Sequence, residues 1–234
     1  MANNAIVNMF RVKEIRKRIF FTLLVLAVFR LGSVLTIPGI NPEALTTYFR
    51  SATGASNSFV DYMDFFAGGA FSNFSVFMLG VMPYISTQII LQLALIIFPS
   101  LKRIAQEDGG QKKIQSWTRI GTVFVCLIQS LAVTVYASSI PGAVVISSDF
   151  LFKVIAMISV TTGTMVTIWL GEQITARGIG NGISMLIFAG IVARLPSAVW
   201  ELGRMVSEDM SKLVSVIVVL IMFVGIVILV IYEQ

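Results

Sequence analysis

The chain has 234 residues and a net charge of +5; 56% of its residues are apolar and only 12% are charged, about half the roughly 25% usual in soluble domains. This composition excludes a set of ordinary soluble domains, because a soluble chain needs more polar residues to cover its surface. With no histidine and a single cysteine, Cys126, it also excludes histidine metal sites, histidine-assisted nucleophiles and an intrachain disulfide.

Six apolar stretches are long enough to cross the roughly 30 Å hydrocarbon core of a bilayer, which takes about 20 helical residues. In lipid, every backbone polar group must be bonded internally, so we predict helices; the short alternating segments of a barrel do not occur. The fifth stretch is the weakest, because Arg194 and Pro196 fall in its outer third. The predicted spans are Ile19–Ile37, Phe74–Phe98, Ile120–Ala137, Phe150–Leu170, Ile183–Trp200 and Leu213–Tyr232.

The first span follows a basic segment, an arrangement shared with secretion signals. Its apolar core is longer than that of a signal peptide, and its exit, Gly32–Pro38, lacks a small-residue cleavage site. We therefore predict a retained helix. The residues before it mix apolar side chains with Arg11 and Lys13. They form either a short amphipathic helix on the membrane surface or a frayed tail.

A long connection, residues 38–73, separates the first two spans. Its end, Asp61–Phe74, is apolar but too short to cross a bilayer. It is either a loop packed on helix ends or a short re-entrant helix, which requires a cavity in the bundle because such backbone is tolerated only inside protein or beside water. Gly68 and Gly69 allow the chain to break before the second span, and we expect Pro83 to kink that span.

Ionisable side chains, the usual functional candidates inside a membrane, are almost absent from the predicted spans. Arg30 and Arg194 lie towards the outer ends of their helices, so we expect both to extend to the outer interface. The remaining polar residues are Ser, Thr and Gln, which bond neighbouring helices or line a wet path. The glycine-rich connection Gly171–Ser184 lacks the preceding strand and the glycine spacing of a phosphate-binding loop, and we predict a tight turn between two helices.

The positive charges indicate an orientation in the membrane. Lys and Arg in the flanks of the six spans number eleven on the side of the N-terminus and four on the other side. The excess predicts a cytoplasmic N-terminus, and six spans return the C-terminus to the same side. The eleven are Arg11, Lys13, Arg16, Lys17, Arg18, Lys102, Arg103, Lys112, Lys113, Arg119 and Arg177; the four are Arg50, Lys153, Arg204 and Lys212.

Several stretches of the chain have distinctive sequences. They are FRLGS and IPGI (Phe29–Ser33 and Ile37–Ile40), FFAGGAFSNFSVFMLGVMPYIS (Phe65–Ser86), the run from QKK to WTRIGT (Gln111–Thr122) and WLGEQITARGIGNGISMLIFAGIVARLP (Trp169–Pro196). Together they resemble the SecY family, the main channel subunits of the bacterial general protein translocase. The resemblance extends from about Phe10 to Gln234 and is most specific in MPYIS and GEQITARGIGNGIS.

This resemblance implies an all-α membrane protein: six transmembrane helices and a short plug helix, as part of a ten-helix channel with an hourglass pore. A ring of aliphatic side chains would form the waist of that pore. This chain would supply Val81 and Ile85 from the second helix, and Ile183 and Ile187 from the fifth. The i, i+4 spacing independently puts the members of each pair on one helix face.

The same resemblance implies a plug that closes the pore from outside, which favours the re-entrant alternative for the apolar stretch. It also implies that the second and third helices form one side of a lateral gate, with Ser86, Thr87 and Gln129 as polar candidates. The plug residues would be Asp61, Tyr62, Met63, Asp64, Phe65, Phe66, Ala67, Gly68, Gly69, Ala70, Phe71, Ser72 and Asn73.

The implied function is passive conduction, in which unfolded secretory proteins cross the bacterial cytoplasmic membrane and membrane-protein helices enter its lipid. A hydrophobic constriction gates by dewetting and needs no catalytic group, so we expect no enzymatic activity, no cofactor and no metal. The implied partners are the SecE and SecG subunits, the SecA ATPase, the ribosome, signal peptides, unfolded preproteins and membrane lipid, with no direct nucleic-acid specificity.

The family has ten spans, so the resemblance implies that this chain is a fragment. Residues 1–18 would be a cytoplasmic N-terminus, 19–200 the N-terminal half of the channel, and 201–234 an outer link with the sixth helix, the start of the second half. The alternative is half of a secondary transporter or permease, which predicts a mid-span carboxylate or a small-solute site. A membrane scaffold would leave the glycine-rich connection and the plug-like segment unexplained.

Overall fold

The computed structural model describes residues 12–51, 64, 67–146, 148–208 and 212–233. Within these ranges the regular structure is helical, apart from isolated antiparallel bridges between Thr36 and Ser75 and between Ile40 and Val144. This confirms the all-α fold class. The helices are α1 (Lys13–Gly32), α2 (Pro42–Ser51), α3 (Met82–Ile97), α4 (Pro99–Gln106), α5 (Gly110–Ser139), α6 (Asp149–Arg177), α7 (Gly182–Glu208) and α8 (Lys212–Glu233). The two alternatives for the N-terminal tail concern residues 1–11, which lie outside the described residues.

Helix α1 is shorter than the predicted first span, because it ends at Gly32 and not at Ile37. Beyond it the chain turns at residues 33–34 and then bonds to a distant segment. The Ile37 N–H donates to the Phe74 carbonyl (3.0 Å), and the Val76 N–H donates to the Leu35 carbonyl (2.8 Å). These bonds satisfy backbone groups that a longer helix would have paired within itself.

Helix α3 begins at Met82, whereas the predicted second span begins at Phe74, because a series of turns precedes the helix. Pro83 lies in the first turn of α3, where its missing N–H breaks no helical hydrogen bond. The predicted kink at Pro83 is therefore wrong. The bend lies instead after Phe98, where Pro99 begins α4 and the two helices are bent by 106°.

Within the described residues, four helices are long and apolar enough to cross a membrane, and the bent pair α3–α4 makes a fifth if it is one span. Helix α1 is as long as many spans, but its first turns carry Lys13, Arg16 and Lys17. The predicted total of six spans stays a prediction. The four helices are Gly110–Ser139, Asp149–Arg177, Gly182–Arg204 and Val216–Glu233.

The chain divides into two compact units, Met1–Ile191 and Val192–Gln234. In the first unit, α5 packs against α3, α4 and α6, and α1 packs against α6. Glycines allow close approach: a Cβ at Gly163 in α6 would lie 2.0 Å from the Val76 carbonyl oxygen. In the second unit, nearly every side chain described in α8 is exposed and apolar.

The outer surfaces of the first-unit helices are also apolar. Phe20 in α1, Phe124 in α5 and Ile158 in α6 are each more than half exposed. Such a surface suits hydrocarbon as the surrounding solvent, whereas a soluble protein rarely exposes contiguous apolar patches of this extent. The protein is therefore a multi-pass membrane protein.

Candidate functional site

The residues predicted for the aliphatic ring lie in one hydrophobic cluster of the first unit. Val81 precedes α3 as its N-cap, and the Ile85 N–H donates to its carbonyl (3.1 Å). Ile183 and Ile187 lie on the first turns of α7. Val81 is buried and the other three are half-buried. They pack with Val25, Phe29, Phe77, Leu170, Ile174 and Leu186.

The glycine-rich connection fixes where α7 starts relative to α6. A Cβ at Gly182 would lie 1.8 Å from the Gly171 carbonyl oxygen, so the two backbones touch. The Thr175 hydroxyl donates to that carbonyl (3.1 Å) and accepts from the Gly182 N–H (2.8 Å). The Asn181 Oδ1 accepts from the N–H groups of Ile183 (3.0 Å) and Ser184 (3.3 Å), as an N-cap does. The tight turn predicted for this connection is thus confirmed.

The same connection is tied to α1. The Ile179 N–H donates to the Thr22 hydroxyl (3.2 Å), which itself donates to the Arg18 carbonyl within α1 (2.9 Å). Gly178 leaves no room for a side chain at this contact, because a Cβ there would lie 2.5 Å from the Thr22 oxygen. Helices α1, α6 and α7 therefore meet at one bonded junction.

A polar cavity of about 590 Å³ lies beside the cluster. Ile85, Ile183 and Ile187 form part of its wall. An ion pair lies across it, with Arg119 Nη2 2.7 Å from Glu172 Oε1. One cation and one anion leave this pair without net charge. The other lining residues are Tyr84, Gln88, Gln115, Gln173, Thr175, Ala176, Asn181 and Ser184.

Sequence reasoning missed this cavity, since it treated Arg119 only as a flanking charge. A signal was present: Tyr84 and Gln88 in α3, and Gln115 and Arg119 in α5, are each spaced i, i+4 and form polar stripes. The spacing identifies a polar face on each helix, but not that the two faces meet. Because Glu172 balances the charge of Arg119, the cavity has no net charge that would exclude either cations or anions. Its polar lining can hold water.

The predicted plug is partly described. Asp61, Tyr62, Met63, Phe65 and Phe66 lie outside the described residues. Asp64 and Ala67 are helical, but Gly68–Asn73 is a run of turns, not a helix. Gly68 and Gly69 have φ of +63° and +93°, which a right-handed helix does not allow.

These turns are closed by a buried carboxylate and packed into the larger core. Asp64 is 4% exposed, and its Oδ1 accepts from the Ser72 N–H at 2.9 Å. Ala67, Ala70 and Phe71 are buried in the main hydrophobic cluster with α5 and α6 residues.

Arg30 has a hydrogen-bond partner in the plug-like segment. Its Nη1 donates to the carbonyl of Gly68 at 2.8 Å, and the side chain is half-buried. The expectation that Arg30 extends to the outer interface stays a prediction, and the bond to a carbonyl of the plug-like segment is a contact that it did not include. Arg194, which carried the same expectation, belongs to the second unit.

Two of the three polar gate candidates share a second cavity, of about 360 Å³. Ser86 from α3 and Gln129 from α5 line it, together with Ala67 and Phe71 of the plug-like segment. Thr87 lies elsewhere: it is buried, and its hydroxyl donates to the Pro83 carbonyl at 2.8 Å. The other lining residues are Met78, Leu79, Met82, Ala132, Val133 and Tyr136.

No metal centre is formed by the described part of the chain, where no three His, Cys, Asp or Glu side chains cluster. Cys126 is free and fully buried in α5. Its surroundings are those of a small core residue and not of an exposed reactive thiol.

Comparison with known proteins gives consistent matches. The family model described as SecY matches residues 75–234. The protein translocase subunit SecY of Borreliella burgdorferi is 46% identical over 214 residues, which are 92% of this chain and 49% of that protein. The subunit of the same name from Escherichia coli K12 is 41% identical over 214 residues, 90% of this chain and 48% of that protein.

Solved structures agree at the level of the fold. A structure titled "The structure of a protein conducting channel" and one of Sec61 in the canine ribosome-channel complex from the endoplasmic reticulum each superpose with a TM-score of 0.58. Both matches cover 92% of this chain and 48% of the other, at 20% identity. The chain thus spans about half the length of the relatives it matches.

Proposed function

The chain belongs to the SecY family, and from that premise we propose that the protein containing it is a protein-conducting channel. It moves unfolded secretory proteins across the membrane and releases membrane-protein helices sideways into lipid. The relatives are named as translocase subunits, and one solved structure of this fold is titled a protein conducting channel. Half of a small-solute transporter, the alternative from sequence, has no comparable support.

The observation that carries this proposal is the position of the aliphatic side chains. Ile85, Ile183 and Ile187 belong to one apolar cluster and also border the 590 Å³ polar cavity. A polar cavity bordered by branched aliphatic side chains has the composition expected of a dewetting gate. Val81 completes the group from its buried position at the start of α3. We assign these four residues to the pore ring.

The plug and lateral gate are proposed on the contacts of the second cavity. Ser86 from α3 and Gln129 from α5 line the same cavity as Ala67 and Phe71 of the plug-like segment. Separating α3 from α5 would therefore open the cavity that the plug-like turns border. Thr87 packs in that seam with its methyl group against Gly121 and belongs to the gate as a packing residue.

The partners and the location follow from the family. A ribosome-channel complex among the structural neighbours supports ribosome docking, and the subunit names of the relatives support assembly with further subunits. We assign SecE and SecG as those subunits, SecA as the motor, and the bacterial cytoplasmic membrane with a cytoplasmic N-terminus as the location. The channel performs no reaction of its own. Residues 1–18, 19–200 and 201–234 form its N-terminal tail, first half and start of the second half.

Photocrosslinking of a stalled precursor tests the channel function. A photoreactive amino acid at Ile85 or Ile183 should crosslink to the precursor lodged in the complete channel, since both residues border the proposed path. The matched control is Phe20, an exposed apolar position on α1 outside that cluster. Crosslinks at Phe20 but at neither ring position, or saturable uptake of a small solute, would contradict the proposal.

A further inference from the structure

Arg30 lies in the last turn of α1 and is half-buried, and its guanidinium bonds to a distant stretch of main chain. Its Nη1 donates to the Gly68 carbonyl oxygen at 2.8 Å, and the two residues are 38 positions apart. A guanidinium in this environment is costly unless it meets protein or water. The bond to Gly68 is charge-assisted, which makes it stronger than a bond between neutral groups.

The Gly68 turn, defined as residues 67–75, fits closely around this bond. A Cβ at Gly68 would lie 2.7 Å from the Cα of Gly190 and 3.0 Å from Arg30 Nη1. The main chain at Gly68 is therefore wedged between α1 and α7. Gly190 lies three residues after Ile187, on the same face of α7. The turn thus rests against the helix face that carries two of the proposed ring residues.

Bonds within the Gly68 turn make it a compact unit. The Ser75 N–H donates to the Ala70 carbonyl (3.0 Å), and the Phe74 N–H donates to the Phe71 carbonyl (3.0 Å). Ala70 is fully buried, so the turn cannot leave its place without exposing it. A unit that is bonded within itself detaches at its external contacts first, and the Arg30 bond is one of these.

We propose that Arg30 is a positioning residue that fastens the Gly68 turn to α1 and against α7, and so sets how readily the turn leaves the bundle. The inference rests on the proposed channel function, in which this turn belongs to the plug. Without the guanidinium, the Gly68 carbonyl loses a strong donor in a part-buried place. The released population of the turn should then rise by about tenfold.

Thiol labelling of the turn tests this directly. In Ala70→Cys the reporter thiol is buried while the turn is seated, so maleimide reacts only when the turn leaves. Native Cys126 is equally buried in α5 and reports general loosening of the bundle. The experiment uses the complete channel in lipid vesicles and compares labelling at both positions by peptide mass spectrometry, with Arg30 intact and in Arg30→Met. Met keeps an unbranched stem but has no donor.

We expect about tenfold faster labelling at position 70 in Arg30→Met, with no change at position 126. Arg30→Lys keeps the charge and a donor and should recover part of the protection. Arg18→Met is the matched control on the same helix: Arg18 is 53% exposed and bridges Glu14 at 3.9 Å. Labelling at position 70 in Arg18→Met should be as slow as in the parent. Equal labelling in Arg30→Met and the parent, or equal acceleration at both positions, would overturn the proposal.

A second variant covers the case in which Arg30→Met does not accumulate. Gly68→Ala keeps Arg30 but strains the positive φ and places a methyl group against Gly190. It should also accelerate labelling at position 70, and unchanged labelling there would overturn the proposal. Labelling needs no precursor. If the channel crosslinks precursor but Arg30→Met does not change labelling at position 70, only the role of Arg30 is refuted. If Arg30→Met accelerates labelling but the channel does not crosslink precursor, only the channel function is refuted.

Discussion

Branched aliphatic side chains at the proposed ring act through their bulk. Ile85, Ile183 and Ile187 offer no hydrogen-bonding group to a passing chain, so peptides of many sequences can slide along them. The same property excludes water from a narrow passage and with it hydrated ions. A seal that depends on bulk is sensitive to truncation and insensitive to charge or pH.

Truncating the ring should open a leak. We expect Ile85→Ser combined with Ile187→Ser to raise the resting ion conductance of the complete channel, because the smaller polar side chains both widen and wet the constriction. Single-channel recording in planar bilayers measures it. The control is Ile158→Ser, which makes the same exchange at an exposed α6 position away from the cluster. A resting conductance equal to that of the parent would remove these residues from the seal.

At the scale of elements, the α6–α7 connection determines where the second aliphatic pair lies. Gly171 and Gly182 bring the two backbones into contact, and Thr175 bonds across them. Ile183 follows Gly182 directly, so any shift of the start of α7 moves the ring with it. The connection works as a rigid spacer, although its glycine content alone would suggest flexibility.

Adding one methyl group at this spacer should destabilise the protein. Gly182→Ala puts a Cβ 1.8 Å from a carbonyl oxygen, which forces the helices apart and should cost about 1–3 kcal/mol of unfolding free energy. Thermal unfolding of the purified channel in detergent measures it. Gly225→Ala is the matched control in a helix, since its Cβ meets nothing within 4 Å. A Gly182→Ala protein as stable as the control would show that the backbones part at little cost.

The helices could be predicted best where hydrophobicity alone decides them. The predicted third and fourth spans lie inside α5 and α6, whose bounds exceed the apolar runs because helices continue into polar flanks. Prediction failed where tertiary bonds compete with the helix. The chain after Gly32 pairs with residues 74–76, and the stretch before Met82 folds into turns. Neither the pairing after Gly32 nor the turns before Met82 can be recognised from the local sequence.

In the candidate site, too, features local to one helix could be predicted, and features that depend on contacts between helices could not. The i, i+4 spacing within each aliphatic pair is a local signal that puts its two members on one face, whereas their role in a ring came from the family resemblance and stays a prediction. The polar cavity could not be predicted, because it exists only where faces of α3, α5 and α6 meet. The partner of Arg30 also depends on a contact between residues far apart in sequence.

For the whole molecule, α5 is long enough for its two ends to lie on opposite sides of the membrane. Its 30 residues extend about 45 Å, more than the hydrocarbon thickness. Helix α4 and the first turn of α5 carry Arg103, Lys112 and Lys113, whereas the connection after α5, residues 140–148, has no Lys or Arg. This asymmetry favours a cytoplasmic position for the first end.

An impermeant thiol reagent tests that orientation. In a Cys126→Ser background of the complete channel, Val145→Cys should react when reagent is added outside intact cells, and Asp108→Cys should react only after the membrane is opened. Both positions are exposed, so burial does not limit either reaction. Equal reaction of both from outside, or the opposite order, would reverse the assigned topology.

The stretch of residues 35–41 has a consequence for how this region can change over evolutionary time. It lies between residues 74–76 and 143–145 and is held on both sides by main-chain hydrogen bonds. Main-chain bonds do not depend on which side chains the residues carry. Substitutions in these three segments can therefore leave the hydrogen-bond register intact, although Ile37, Phe74 and Ala143 are also constrained by their burial in the core. An insertion or deletion of a single residue would instead shift every later bond in the register.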